Sequence, residues 1–398
     1  MIRTLIVTAA LVTLLVSACS VQTEGEHAAR NGEPGPEPGE VVVLSATLEN
    51  DRDTADKATE DPLPPPTTST TATTTTSTST STTTTTTTTT MPPPIPLPSI
   101  SEPYVASESE PYADAKTIAG QIAQRLLTYD PDTSRIQLAA EVATADDQIP
   151  ELIEAIQPAF HGGLWSRATV VYPQLGGLAD DRMSVMVVVR QQFGDDDESG
   201  DTVKRTLDVR LMQSDGEWVF DGLASAGGDL APRPADLSNL AITVVDHPNI
   251  ILSDSARWDI YRGWISNDLL RLMLDLGDQW TYHVVTLTSG HPYNVFGTDT
   301  MSRHTSGHAV DLYRLGDARV IDDRAEASAT HEIVAEWCTR DDISSIGSPW
   351  RFENPEPVEG SEEESAGETD ESAGEFKCRS FTNRVHQDHI HISVSPSG

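Results

Sequence analysis

Between residues 103 and 237 the spacing of apolar positions changes partway along the chain. In "DAKTIAGQIAQRLLTY" and "IPELIEAIQPAF" they recur three and four apart, as on one face of a helix. In "ATVVYPQL", "MSVMVVVRQQF", "KRTLDVRLMQ" and "EWVFDGLASA" they alternate, as in half-buried strands. Helices followed by a run of strands predict an α+β domain with an antiparallel sheet. Residues 238–398 predict a second α+β domain around a central antiparallel sheet. "SDSARWDIYRGWISNDLLRLMLDLG" reads as a helix capped by Ser253 or Asp254, with Trp258, Tyr261, Trp264, Leu269 and Leu272 largely on one face. "TYHVVTLTSGHP" reads as a strand entering a turn, "AVDLY" as a strand, and "HIHIS" as a strand beginning at about His389.

Upstream of residue 103 neither period is present. "MIRTLIVTAALVTLLVSACS" has one early positive charge and a short apolar run ending in small residues, which predicts a signal peptide over 1–19. Its "VSAC" ending resembles the lipobox of bacterial lipoproteins, and the resemblance implies acylation at Cys19. The expected location is therefore extracytoplasmic, anchored by lipid to the bacterial cell membrane. Residues 20–102, acidic and then threonine- and proline-rich, offer almost nothing to bury and predict a disordered tether. About 80 such residues span on the order of 50 Å, enough to reach into a cell wall. The order of elements in 103–237 resembles the nuclear-transport-factor-2-like cone. No converging set of titratable groups lies there, and His161 reads as structural, so this domain is expected to be an accessory one.

Charge excludes one class of partner. With 26 Lys and Arg against 62 Asp and Glu the formal net charge is −36, and no basic cluster exists to neutralise phosphates, so no nucleic-acid binding is expected. The acidic stretch 353–375 reads as a solvated insertion rather than a calcium loop. Cys338 and Cys378 bracket it, and in an oxidising compartment they are candidates for a disulfide. The oligomeric state is not legible.

The candidate chemistry is in two stretches. "SRHTSGHAVD" brings His304 to a strand carrying Asp311, with Gly307 permitting the turn between them, and "NRVHQDHIHISVS" places His389 and His391 on one strand face. Two imidazoles and a carboxylate, His304, Asp311 and His391, make the donor set of a catalytic Zn2+ that keeps one open position. His308 should point away from Asp311, and His283 reads as a strand residue without a role. His386 either orients the cluster or is a plain loop residue.

The pattern "S-x-H-x-x-G-x-A-x-D" at Ser302, His304, Gly307, Ala309 and Asp311, followed by "D-H-I-H", resembles the signature of the zinc D-alanyl-D-alanine carboxypeptidase superfamily of peptidoglycan peptidases. The resemblance covers roughly 240–395. It implies zinc on His304, Asp311 and His391, Asp388 as general base, and His389 near the water or transition state. Peptidoglycan stem peptides would be the substrates of a carboxypeptidase or endopeptidase. Ser302 would support the loop. The sequence departs from the family in reading "SGHP" where many members have "SGYR", so the arginine that polarises the scissile carbonyl is missing, and His291 or His389 are the candidates to replace it. The alternative reading is a zinc-containing module that binds wall peptide or protein without cleaving it.

Overall fold

The computed structural model describes residues 97–195, 200–354 and 375–396. The expected signal peptide, Cys19, most of the tether and most of the acidic insertion lie outside them. Among the described residues no helix is long and apolar enough to cross a membrane.

The chain is α+β. Helices α1 (Ala113–Leu126), α2 (Arg135–Val142) and α3 (Ile149–Ala155) precede four long strands, β1 (Trp165–Leu178), β2 (Arg182–Gly194), β3 (Asp201–Ser214) and β4 (Glu217–Ser225). They pair in sequence order as an antiparallel sheet. The apolar run of β2 is not half-buried as expected. Val185, Val187 and Val189 join the core under the helices, while Met186 and Val188 pack on the opposite face with Tyr172 of β1. A strand covered on both faces has no solvent side to keep polar, which explains the unbroken "VMVVV".

What covers that second face is the rest of the fold. Val285, Tyr313 and Ile321 complete the cluster around Met186 and Val188, and Tyr313 stacks on Tyr172 with ring centroids 4.7 Å apart. Val285 and Tyr313 lie on β6 (Tyr282–Thr286) and β7 (Ala309–Leu315) of a second sheet, ordered β10-β9-β11-β7-β6-β5, with β8 (Ala318–Arg319) paired to β7. Its remaining strands are β5 (Ile250–Ile251), β9 (Ser345–Gly347), β10 (Arg379–Phe381) and β11 (Ile390–Ser393). The centre, β9-β11-β7-β6, is antiparallel, and the two outer pairs, β5-β6 and β9-β10, are parallel.

The second sheet is backed by α4 (Asn239–Val245), α5 (Asp254–Tyr261), α6 (Asn267–Gly277) and α7 (Ala329–Trp337). The single helix expected over 253–277 is therefore two. Gly263 takes φ +70 after α5, and Ser266 caps a fresh start by accepting from Leu269 N. Trp264 belongs to the break, not to the apolar face, and is 51% exposed. Cys338 at the end of α7 is disulfide-bonded to Cys378.

Candidate metal centre

Strand register creates the site. In the antiparallel pair β7-β11, His391 lies directly opposite Asp311, so the two side chains share one face. The segment between β6 and β7 then brings His304 over them. Two glycines allow this path. Gly307 has φ +70, and a Cβ there would meet Trp264 O at 1.9 Å. Gly290 has φ +88, and a Cβ would meet Thr206 O on β3 at 2.2 Å. Buried Asp259 of α5 pins the same segment, accepting from Thr288 N at 2.9 Å and Ser289 N at 2.8 Å. Buried Ser302 contributes its hydroxyl as acceptor for His304 N.

Three donor atoms converge at nearly equal spacing. His304 Nε2 lies 3.1 Å from Asp311 Oδ1 and 3.1 Å from His391 Nδ1, and His391 Nδ1 lies 3.0 Å from Asp311 Oδ1. His304 Nδ1 donates to Leu287 O at 2.6 Å, which leaves a lone pair on Nε2 in the neutral ring. Lone pairs and a carboxylate this close repel unless a proton or a cation sits among them. His291 stacks on His304, with centroids 3.9 Å apart, and its Nδ1 donates to Pro292 O at 2.8 Å. His291, His304 and Asp311 each offer an atom within 4.8 Å of the others, and this group could hold a metal ion.

The charge balance follows from burial. Burial alone would raise the Asp311 carboxyl, but the neighbouring His304, His389 and His391 rings hold it well below the usual carboxylate range. Withdrawal from solvent pushes His291 and His386 well below the ordinary imidazole value, and His391 below it too, although Asp311 pulls His391 the other way.

Asp388 is fully buried and both its oxygens are engaged. Oδ1 accepts from His389 Nδ1 at 2.7 Å, while Oδ2 accepts from Lys116 Nζ and from Leu175 N at 3.0 Å. Burial would raise this carboxyl, but Lys116 and His389 bring it below the ordinary value. The atom of this pair that approaches the cluster is His389 Nε2, 3.9 Å from Asp311 Oδ2. β11 begins at Ile390, so His389 stands just ahead of the strand.

The other candidates fall around this arrangement. His386 lies against the cluster, with centroids 4.9 Å from His389 and 5.8 Å from His391, and Asn383 Oδ1 holds its Nδ1 at 2.8 Å. His308 is half-buried and bonds Ser306. His283 meets Tyr313 and His161 stacks on Phe193, both away from the donor atoms.

Sequence reasoning missed the groups supplied by the four-stranded part of the fold. Gln174 Nε2 donates to Asp311 Oδ2 at 2.6 Å, Tyr172 Oη donates to Asp388 O at 2.8 Å, and buried Lys116 bridges Asp388 to Glu110. Their only signal was polarity inside apolar segments, which exposed residues share. Compared with protein-family models, curated proteins and solved structures, the chain matches none.

Proposed function

We propose that this chain is a zinc-dependent peptidase acting on peptidoglycan stem peptides, tethered by lipid outside the cytoplasm. The observation that carries the reading is the triangle of His304 Nε2, Asp311 Oδ1 and His391 Nδ1, with edges of 3.0–3.1 Å. Ligands about 2.0–2.1 Å from a tetrahedral zinc are separated by roughly 3.3–3.4 Å, so the three atoms need to spread by only a few tenths of an ångström. Two imidazoles and a carboxylate are also the donor chemistry of catalytic zinc. Zinc held there supplies a Lewis acid that acidifies water and polarises a carbonyl.

The chain's own residues then divide the work. His389 Nδ1–H donates to Asp388, which leaves Nε2 free to take a proton from the attacking water and return it to the leaving amine. Asp388, held by Lys116 and Leu175, fixes the tautomer and stabilises the imidazolium that forms. In this reading Asp388 works through His389 instead of meeting the water itself. The protonated His389 also supplies the cationic donor that "SGHP" lacks. His291 is a poor substitute, because its one N–H is spent on Pro292 O and the neutral ring presents a lone pair.

One observation favours a second reading, a metal centre without turnover. Of the three converging groups only His391 keeps appreciable side-chain exposure, 14% against 0% and 2% for His304 and Asp311. Incubating the zinc-loaded full chain with stem peptides, followed by mass spectrometry, separates the two. Loss of a terminal residue or an internal cut supports the peptidase. Intact peptides across several stem sequences, with zinc bound, leave the non-catalytic centre.

A further inference from the structure

Gln174 lies on β1, in the sheet that carries none of the clustered histidines, yet its Nε2 donates to Asp311 Oδ2 at 2.6 Å. The residue is 0% exposed, and its Oε1 accepts no hydrogen bond among the described residues. A carboxamide oxygen withdrawn from water without a donor is unfavourable, and such groups call for an explanation. Flipping the amide gives no relief, since it would set that oxygen against a carboxylate. A leucine or methionine would fill the volume without this penalty, so the packing of the two sheets alone does not account for glutamine here.

The local backbone is shaped to deliver it. The β1-β2 register shifts between Val170 and Tyr172 and again between Leu175 and Gly177, so irregularities bracket Tyr172, Gln174 and Leu175. Bulges re-aim side chains and are enriched beside functional sites. The bracketed segment touches both acids of the centre. Gln174 holds Asp311, Leu175 N donates to Asp388 Oδ2, and Tyr172 Oη donates to Asp388 O. With Oδ2 committed to Gln174, Asp311 has Oδ1 to share with His304 and His391.

We propose that Gln174 is a positioning residue of the metal centre, engaging Asp311 Oδ2 so that a single oxygen, Oδ1, is presented to the cation beside His304 and His391. This rests on the metal-binding part of the reading above and not on peptide cleavage. It gives the four-stranded part of the fold a share in building the centre. Partners that orient a metal ligand are commonly worth about 10–100-fold in metal affinity.

The test compares Gln174→Met with Gln191→Met in the full chain. Gln191 is an internal control. It is equally buried in the neighbouring strand and its Oε1 is likewise unpartnered among the described residues, but its Nε2 donates to Ala159 O and Ser166 Oγ, away from the centre. Zn2+ affinity is read by competition with a chromophoric chelator, and geometry by the visible absorption of the Co2+-loaded protein. Gln174→Met is expected to weaken Zn2+ binding by about 10–100-fold and alter the Co2+ band, while Gln191→Met changes neither. If Gln174→Met does not fold, Gln174→Asn, which withdraws the amide by one methylene, is expected to move both readouts in the same direction. Parental affinity and an unchanged Co2+ band in the Gln174 variant, or equal losses in both variants, overturn the inference. A parental chain that binds Zn2+ but cleaves no stem peptide overturns the peptidase reading alone, whereas one that binds no Zn2+ overturns both.

Discussion

Lys116 and Asp388, 272 positions apart in the chain, form an ion pair with no solvent exposure on either side chain. Glu110 shares the same ammonium, and Arg319 stands 3.8 Å from the far oxygen of Glu110. The line of charges runs from helix α1 to the aspartate that accepts from His389 Nδ1.

Removing one partner of such a pair leaves charge buried without compensation. Lys116→Met is expected to destabilise the chain by about 3–5 kcal/mol, measured by urea unfolding. Adding Asp388→Asn to that variant should recover part of the loss, because it removes one of the stranded carboxylates. A cost below about 1 kcal/mol would mean that the ammonium is not held where the structure places it.

Asp311→Ala and His304→Ala each delete one of the three converging donors. Loss of a ligand should exceed the about 10–100-fold typical of an outer partner, so Zn2+ affinity should fall by more than about 100-fold in either variant. Chelator competition reads this directly. Affinity within tenfold of the parent in both would rule out these two residues as ligands.

His389→Gln preserves polarity but cannot shuttle a proton. Stem-peptide cleavage should fall by roughly 10²–10⁴-fold at unchanged zinc occupancy. Asp388→Asn should fall in the same range while its zinc content also stays constant. A rate preserved in His389→Gln and lost in Asp388→Asn would return the proton to Asp388.

Acid should weaken the metal-free chain early. His161 and His283 are pushed by burial from 6.5 to about 4, and His291, His386 and His391 are also lowered. A lowered imidazole pKa in the folded state means that protons bind the unfolded chain more readily. The associated stability is complete above about pH 6.5 and is lost as pH falls toward 4. Asp311 and Asp388, lowered below 3.8, contribute down to the usual carboxylate value and lose that contribution only beneath it. Glu110, Asp208 and Asp259, whose carboxyls burial raises, work the other way and gain stability as pH falls. With five lowered imidazoles against three raised carboxyls, thermal melts should show Tm falling on balance between pH 6.5 and 4, and a Tm that rises there contradicts these environments.

Replacing Cys338 and Cys378 together by serine frees a loop closed over 40 positions. The chain-entropy estimate for that length is about 4 kcal/mol, and typical native losses are about 2–5 kcal/mol. Denaturant midpoints with and without reductant measure it, and coincident curves would show that the bond contributes nothing.

Much of the C-terminal side-chain cluster was legible because it is local. His304 and Asp311 sit seven apart around a glycine turn, and His389 and His391 fall at strand spacing, so each half of the cluster could be read within its own stretch. That the halves meet depends on the register of β7 against β11, which no local pattern encodes. Gln174 and Lys116 were illegible for the same reason, since their partners lie 137 and 272 residues away. The α+β class followed from the order of periods. Its errors came where burial departed from the simplest case: β2 is covered on two faces, and Gly263 with Ser266 breaks a helix whose apolar spacing runs on without a visible gap.

Next to the disulfide, Asn354 Nδ2 donates to Phe376 O and Phe376 N donates to Asn354 Oδ1, both at 2.8 Å. Residues 354 and 376 are therefore held side by side at a neck two hydrogen bonds wide, backed by a covalent cross-link. Doubling the length of a loop with its ends already held costs only about 0.6 kcal/mol. This neck is thus a natural splice point, where a fluorescent protein or an affinity epitope can be grafted into the chain while β9, β10 and β11 keep their pairing.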